Sequence, residues 1–210
     1  AEMKAAAFEM AEQVEKLVKV YKNTKVDAQM LKDADVDAVI LAIGSSPITI
    51  KLEGMDKLQH ASVPEVLRHE VCPKGKVAVI GGGLVGLETA DTLATDGCDV
   101  TVLEMKDEIG SDLGSLRKIA VMMKLQQMQV KMLPNSKVCK FTEEGIVLED
   151  ETLVPCNCAV FAVGFASNDS HLLVEECEKR QIPCRVIGDA KSARRALDAI
   201  AEGFEAARTL

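Results

Sequence analysis

"KVAVIGGGLVGLETADTLATDGCDVTVLE", from Lys76 to Glu104, contains two apolar runs separated by a cluster of glycines and an amphipathic segment. The apolar run KVAVIG predicts a buried strand, which the three glycines at 81–83 end. Residues 84–96 predict a helix, and DVTVLE at 99–104 predicts a second strand. A strand, a helix and a strand in this order are typical of a parallel α/β unit.

The glycines between the first strand and the helix form a Gly-x-Gly-x-x-Gly pattern. In a dinucleotide-binding unit, the first glycine permits a tight turn and the second lets the backbone approach a pyrophosphate. The third lets the helix pack close to the strand. The exposed amides of the turn and the helix dipole attract the phosphates. The predicted cofactor-binding residues of this turn are Gly81, Gly82, Gly83, Leu84, Val85 and Gly86.

Glu104 ends the second predicted strand, about 20 residues after the glycines. An acidic residue at that place binds ribose hydroxyls, and its charge repels the 2′-phosphate of NADP(H). The pattern therefore predicts NAD(H) as the ligand. Lys106 is close enough to weaken this preference, and we interpret it as a surface lysine. The alternative is a glycine-rich turn that only packs, with Glu104 as a surface carboxylate.

The composition excludes several classes of partner. The chain has 210 residues and a formal charge of −8, which argues against binding to nucleic acid or to anionic lipid. Its apolar runs are too short to span a bilayer, and the first residues do not resemble a signal peptide. The seven cysteines show no metal-binding spacing and predict free, mostly buried thiols. We expect a cytoplasmic protein without a metal site.

The rest of the chain predicts further α/β structure around the central unit. VILAIGSSP at 39–47 and VFAVGFASN at 160–168 resemble each other and flank that unit, which suggests an inserted domain. The other predicted elements are a helix over 1–19, a strand buried on both faces over 36–44, a short helix over 63–69, a helix over 111–129 with Ser111 or Asp112 as N-cap, short strands over 130–155 with a hairpin around Glu144 and Gly145, a buried strand over 158–164, a strand and turn over 185–190, and a closing helix over 194–210.

Four motifs in this order carry a resemblance to a known superfamily: ILAIGSSP, GGGLVGLETA followed by TVLE, VFAVG, and VIGDA followed by RRALDAIAEGFEAAR. The chain resembles the flavoproteins with two dinucleotide-binding domains. Within them it is most similar to the C-terminal reductase region of the Old Yellow Enzyme-like NADH:flavin oxidoreductases. That group includes 2,4-dienoyl-CoA reductase, enoate reductase and trimethylamine dehydrogenase.

The resemblance implies an α/β fold in which a Rossmann-like NAD(P)-binding domain is inserted into a truncated FAD-binding domain of the pyridine nucleotide-disulfide oxidoreductase type. The implied boundaries are residues 1–51 for the first part of the FAD-binding domain, 52–160 for the NAD(H)-binding domain and 161–210 for the second part of the FAD-binding domain. No glycine motif for the FAD pyrophosphate precedes residue 52, so we expect an incomplete FAD site.

The resemblance also implies roles for single residues. Glu88 falls where these reductases place a glutamate near the nicotinamide, and Gly164 would edge the nicotinamide site. Gly188 and Asp189 match the second FAD fingerprint, in which the aspartate contacts the ribityl or pyrophosphate region. Hydride transfer between stacked cofactors needs no protein acid or base, so no catalytic residue is expected in this chain.

The implied function is that of an NAD(H)-binding fragment of a flavin-dependent oxidoreductase. It would pass hydride from NADH to FAD and on to a distant acceptor site outside this chain, with NADH, the flavin and the remaining domains of the parent enzyme as partners. The isolated chain is expected to be inactive. The alternative is a non-catalytic module that holds ADP or NAD as a structural element.

Overall fold

The computed structural model describes residues 2–210, with the side chains of residue 5 and residues 7–210. The α-helices are α1 (Glu2–Leu17), α2 (Ala28–Asp33), α3 (Val63–Leu67), α4 (Leu84–Thr95), α5 (Ser115–Gln127), α6 (His171–Lys179) and α7 (Ala196–Thr209). The strands are β1 (Val39–Leu41), β2 (Ser45–Pro47), β3 (Gln59–Ser62), β4 (Lys76–Ile80), β5 (Asp99–Leu103), β6 (Lys131–Leu133), β7 (Val138–Thr142), β8 (Gly145–Leu148), β9 (Leu153–Pro155), β10 (Cys158–Phe161), β11 (Phe165–Ser167) and β12 (Cys184–Val186). Within these residues, no helix combines the length and the apolar character that crossing a membrane requires.

The centre of the fold is a five-stranded sheet in the order β3-β10-β4-β5-β6. All its neighbouring strands are parallel. The carboxyl ends of β10, β4 and β5 therefore meet at one edge of the sheet. In open parallel sheets, ligands bind at this edge.

Helices cover one face of the sheet. Val77 and Val79 of β4 pack in one buried cluster with Leu87 and Leu93 of α4 and Leu125 of α5. None of these five residues is more than 1% exposed. Burial of these aliphatic side chains fixes the helices on the sheet, because each removes apolar surface from water.

The small antiparallel sheet β7-β8-β9 covers the other face. Ala78 and Ile80, which alternate with the valines along β4, pack in a second cluster with Phe141, Ile146 and Val154. The central sheet is thus buried on both faces, which explains why β4 and β10 are apolar at consecutive positions.

The predicted hairpin around residues 144 and 145 is confirmed, since Thr142 of β7 pairs with Gly145 of β8. The segment from residue 145 to residue 155 forms two strands, β8 and β9. A turn separates them, in which Asp150 accepts the N–H of Thr152 at 3.0 Å and Glu151 has a φ of +67°.

The two similar segments that flank the central unit pair with each other. β2 is antiparallel to β11, and β1 is parallel to β12. The Asn168 Nδ2 group donates to the carbonyl oxygen of Ile43 at 2.8 Å, and the Ser46 hydroxyl donates to Asn168 Oδ1 at 2.6 Å. Residues before and after the five-stranded sheet are therefore held together by backbone and side-chain hydrogen bonds.

The strand predicted over 36–44 is shorter and more exposed than expected. β1 has three residues, and Ile40 at its centre is 41% exposed. The prediction of a strand buried on both faces is wrong, because within residues 2–210 the sheet that contains β1 has only two strands.

The helix predicted over 111–129 begins later, at Ser115, and its N-cap is Gly114. The prediction of Ser111 or Asp112 as N-cap is wrong. Residues 110–113 form a turn, in which the N–H of Leu113 donates to the carbonyl oxygen of Gly110 at 3.1 Å. The Asp112 side chain is directed to α4 instead.

All seven cysteines are free, as expected, but only some are buried. Cys156, Cys158 and Cys177 are buried, whereas Cys72 and Cys139 are exposed. Burial raises the pKa of the Cys156 and Cys158 thiols to about 11, so both are neutral at physiological pH.

Candidate functional site

The glycine turn lies at the carboxyl end of β4, between the ends of β5 and β10. The N–H of Gly81 donates to the carbonyl oxygen of Leu103 at 2.8 Å, which ties the turn to β5. Gly81 has a φ of +113°, and an added Cβ would lie 2.4 Å from the carbonyl oxygen of Ala162. Only glycine fits both the backbone angle and this contact.

The helix after the turn packs against it at Gly86. A Cβ at this position would lie 1.9 Å from the carbonyl oxygen of Gly81. The close packing required of the third glycine is therefore present. Gly83 is the N-cap of α4 and has no side chain to cap the helix, so the amides of its first turn need acceptors from elsewhere.

Glu104 follows β5 and contacts the glycine turn directly. Its Oε2 atom accepts the N–H of Gly82 at 2.7 Å, and its Oε1 atom accepts the N–H of Lys106 at 2.9 Å. The carboxylate is therefore fixed at the edge of the sheet, beside the positive end of α4. The sequence predicted the place of Glu104 but not its bond to Gly82.

Asp112 is a second acidic residue at this site, and sequence reasoning missed its role. Both of its carboxylate oxygens accept the N–H of Leu84, at 3.0 and 3.1 Å. The available signal was an acidic residue in the loop after β5, where a parallel sheet brings loops to the same edge.

A cavity of about 550 Å³ opens at this edge, a size typical of sites for small molecules and cofactors. Its lining includes four residues of the glycine turn, three charged residues that follow β5, and two residues that follow β10. They are Gly81, Gly83, Leu84, Val85, Glu104, Lys106, Asp112, Val163 and Gly164. The structure therefore brings Gly164 together with the glycine turn, and its place at a nicotinamide site stays a prediction.

Glu88 does not line this cavity. Its Oε1 atom is 2.6 Å from Nη2 of Arg117 on α5, and both side chains are more than half exposed. The role of Glu88 near a nicotinamide stays a prediction.

Gly188 and Asp189 lie in a separate polar network that joins the outer segments. The Asp189 carboxylate accepts the Ser45 hydroxyl at 3.1 Å and the N–H of Arg194 at 3.1 Å. Its carbonyl oxygen accepts the Ser167 hydroxyl at 2.7 Å. These bonds hold the turn after β12 against β2 and β11.

Glu202 of α7 completes this network. Its carboxylate accepts the N–H of Gly188 at 2.8 Å and is paired with Arg194 and Lys191. The hydrogen bond from Arg194, followed by the one from Gly188, lowers the pKa of Glu202 from 4.5 to about 2. Glu202 is therefore ionised at neutral pH and stabilises the left-handed turn at Gly188.

A comparison with protein families matches residues 3–189 to the family model of pyridine nucleotide-disulphide oxidoreductase. The chain belongs to this family. Members bind FAD and NAD(P) in general, and the site's chemistry fits a dinucleotide. A helix N-terminus lies at a glycine turn, with a carboxylate at the end of the next strand and a cavity large enough for a cofactor beside them.

Curated relatives include reductases and an NADH oxidase, which confirms the predicted resemblance. The chain is 35% identical to bilirubin reductase of Mediterraneibacter gnavus over 88% of its length, and 33% identical to cinnamate reductase of Clostridium sporogenes over 92%. It is 30% identical to NADH oxidase of Thermoanaerobacter brockii over 90%. The chain spans only 29–30% of the length of these relatives.

Solved structures share the fold. In 2-naphthoyl-CoA reductase, the matched region has a TM-score of 0.83 and 25% identity, and covers 95% of this chain and 31% of the other. Histamine dehydrogenase from Rhizobium sp. 4-9 matches with a TM-score of 0.77 and 15% identity over 90% of this chain and 33% of the other. The fold is thus the α/β, Rossmann-like FAD/NAD(P)-binding fold of the disulfide oxidoreductase type, as predicted.

The pKa of Glu202 leads to a prediction about acid stability. Because the folded state lowers this pKa, its contribution to stability is complete above about pH 4.5 and is lost as the pH falls towards 2. The variant Glu202→Gln should melt at a lower temperature than the wild type at pH 7. The difference in melting temperature between the variant and the wild type, measured by circular dichroism, should shrink as the pH falls from 4.5 to 2. Glu205→Gln, on the same helix, is the control for loss of an exposed carboxylate. An undiminished difference at pH 2 would contradict the assignment.

Proposed function

We propose that this chain binds NAD(H) at the glycine turn and forms part of a flavin-dependent oxidoreductase that uses NADH. The single observation that supports the proposal best is the convergence of three features on one cavity. They are the N-terminus of α4, the Glu104 carboxylate and the end of β10 at Gly164. Membership of the pyridine nucleotide-disulphide oxidoreductase family supports, in general terms, the binding of FAD and of NAD(P).

In this proposal the chain's own residues bind and orient the nucleotide. The amides at the start of α4 would hold the pyrophosphate, and Glu104 would accept hydrogen bonds from the adenosine ribose. Gly164, which has a φ of +104° and no Cβ, would let the nicotinamide lie against the backbone after β10. Bound NADH would supply a hydride for a flavin to accept.

We also propose that residues 52–160 form the NAD(H)-binding domain, and that residues 1–51 and 161–210 are two parts of one FAD-binding domain. The pairing of β1 with β12 and of β2 with β11 supports this division, because it joins the outer segments on one side of the central sheet. Gly188 and Asp189 would take part in binding FAD there, and the rest of the flavin site would come from other parts of a longer protein.

The acceptor of the electrons is proposed to lie outside this chain. The relatives are about three times longer than their matched regions, and they are named for the reduction of different compounds, bilirubin and cinnamate. A shared NADH-binding part combined with different acceptor parts would account for both facts. The remaining domains of the parent enzyme are therefore the partners we propose.

The second candidate function is a nucleotide-binding module without turnover. One observation favours it: Gly188 and Asp189 do not line the cavity, and both Asp189 carboxylate oxygens already accept hydrogen bonds from the protein. One oxygen accepts the Ser45 hydroxyl, and the other accepts the N–H of Arg194. Such a module would hold ADP or NAD and would bind no flavin, even in the longer protein.

The first prediction from the proposed function concerns the choice of nucleotide. Titration calorimetry should show tighter binding of NADH than of NADPH, because the Glu104 charge repels a 2′-phosphate. Glu104→Gln removes the charge and retains an acceptor for the Gly82 amide. It should therefore reduce the ratio of the NADPH to the NADH dissociation constant about tenfold. The control is Lys106→Gln, which changes a cationic residue of the same cavity and should widen the preference for NADH. Equal or tighter binding of NADPH by the wild type would show that Glu104 is not at the ribose.

A second prediction separates the oxidoreductase from the module without turnover. The purified 210-residue chain should be colourless and should leave NADH unoxidised, because the proposed flavin site is incomplete. The longer parent protein should be yellow, and NADH should bleach its flavin in stopped-flow absorbance at 450 nm. Asp189→Ala in the parent should weaken flavin retention, measured as the flavin content after gel filtration. A colourless parent would favour the module, and a yellow, NADH-oxidising 210-residue chain would contradict the proposed incomplete site.

A further inference from the structure

The Asp112 carboxylate lies over the N-terminus of α4. Its two oxygens share the N–H of Leu84, the first residue of the helix. A Cβ added to Gly83 would be 3.2 Å from its Oδ2 atom. The carboxylate therefore covers the glycine at which a pyrophosphate must approach the backbone most closely.

The loop that carries Asp112 is fixed by its own contacts. The N–H of Gly110 donates to the carbonyl oxygen of Gly82 at 2.7 Å, and Ile109 is buried in the core between the sheet and the helices. The side chain of Asp112 is thus placed on α4 by the fold. It lines the cavity together with Ser111 and Glu104.

A carboxylate and a phosphate compete for the same kind of partner. Each is an anion that the amides and the dipole of a helix N-terminus attract. A pyrophosphate that binds to the Leu84 amide must first displace Asp112, and the displaced carboxylate still faces a doubly charged group across a few ångströms. Both effects weaken the binding of the nucleotide.

We propose that Asp112 is a residue that sets the affinity of this site: its carboxylate occupies part of the pyrophosphate position and lowers the affinity for the dinucleotide. The proposal rests on the proposed binding of NAD(H) at the glycine turn. It gives the two acidic residues of the cavity opposite roles, because Glu104 contacts the ribose whereas Asp112 opposes the pyrophosphate. A lowered affinity favours release of the oxidised nucleotide after each turnover.

A purely structural role for Asp112 makes a different prediction. An acceptor at the start of a helix stabilises the protein, and its loss lowers the melting temperature. A helix cap that does not meet the ligand leaves the affinity of a folded variant unchanged. Affinity and stability must therefore be measured on the same samples.

The test is titration calorimetry of the 210-residue chain with NADH and with ADP-ribose, which has the pyrophosphate but lacks the nicotinamide. Asp112→Asn retains the shape of the side chain and an acceptor for Leu84 but removes the charge. It should bind both compounds about five- to tenfold more tightly than the wild type. The control is Asp107→Asn, which removes an exposed carboxylate of the same loop that does not line the cavity, and it should change the affinity less than twofold. Asp112→Ser is a second variant, for which we also expect tighter binding of both compounds. It replaces Asp112→Asn if thermal melts show that Asp112→Asn does not fold.

The outcomes distinguish this inference from the proposed function. If the wild type binds NADH and the folded Asp112 variants bind it equally or more weakly, the inference is wrong and the proposed function stands. If neither the wild type nor the variants bind NADH or ADP-ribose, the proposed function itself fails. Binding that appears only in the variants would support both.

Discussion

At Gly86, the first turn of α4 lies so close to the turn after β4 that a Cβ would be 1.9 Å from the carbonyl oxygen of Gly81. This contact fixes where the helix begins and in which direction its N-terminus points. The hydrogen bond from Gly81 to Leu103 fixes the same turn relative to β5. The cavity and the amides at the start of α4 depend on this packing, since Gly81, Gly83 and Leu84 line the cavity. The position of Glu104 depends on it as well, because its carboxylate accepts the N–H of Gly82 in the same turn.

The central unit could be predicted from the sequence because its signals are local. Apolar runs and the spacing of three glycines are read over a few residues, and β4, α4 and β5 appear within one or two residues of the predicted ends. β3 was missed because QHAS carries no alternating apolar pattern, and it becomes a strand only by pairing with β10. The hydrogen bond between Leu84 and Asp112 joins residues that are 28 positions apart in the sequence. It depends on how a loop folds over the edge of the sheet, which the spacing of apolar residues does not indicate.

The inner and outer parts of the chain differ in how completely they bury their apolar residues. Val79 and Val160 in the central sheet are 0% exposed, whereas Leu197 and Phe204 on α7 are 75% and 71% exposed. A helix with one uncovered apolar face is typical of a surface that contacts another part of a protein. The contrast agrees with our proposal that the outer segments belong to a flavin-binding domain whose other parts lie elsewhere in a longer enzyme.

Binding of the nucleotide at the glycine turn can be observed residue by residue in an NMR titration of the ¹⁵N-labelled chain with NADH. If the glycine turn binds the nucleotide, the amide signals of Gly82, Gly83, Leu84 and Gly164 shift with a common saturation curve, whereas that of Gly188 does not move. Shifts confined to Gly188 and its neighbours, or no shifts at saturating NADH, would contradict binding at this turn.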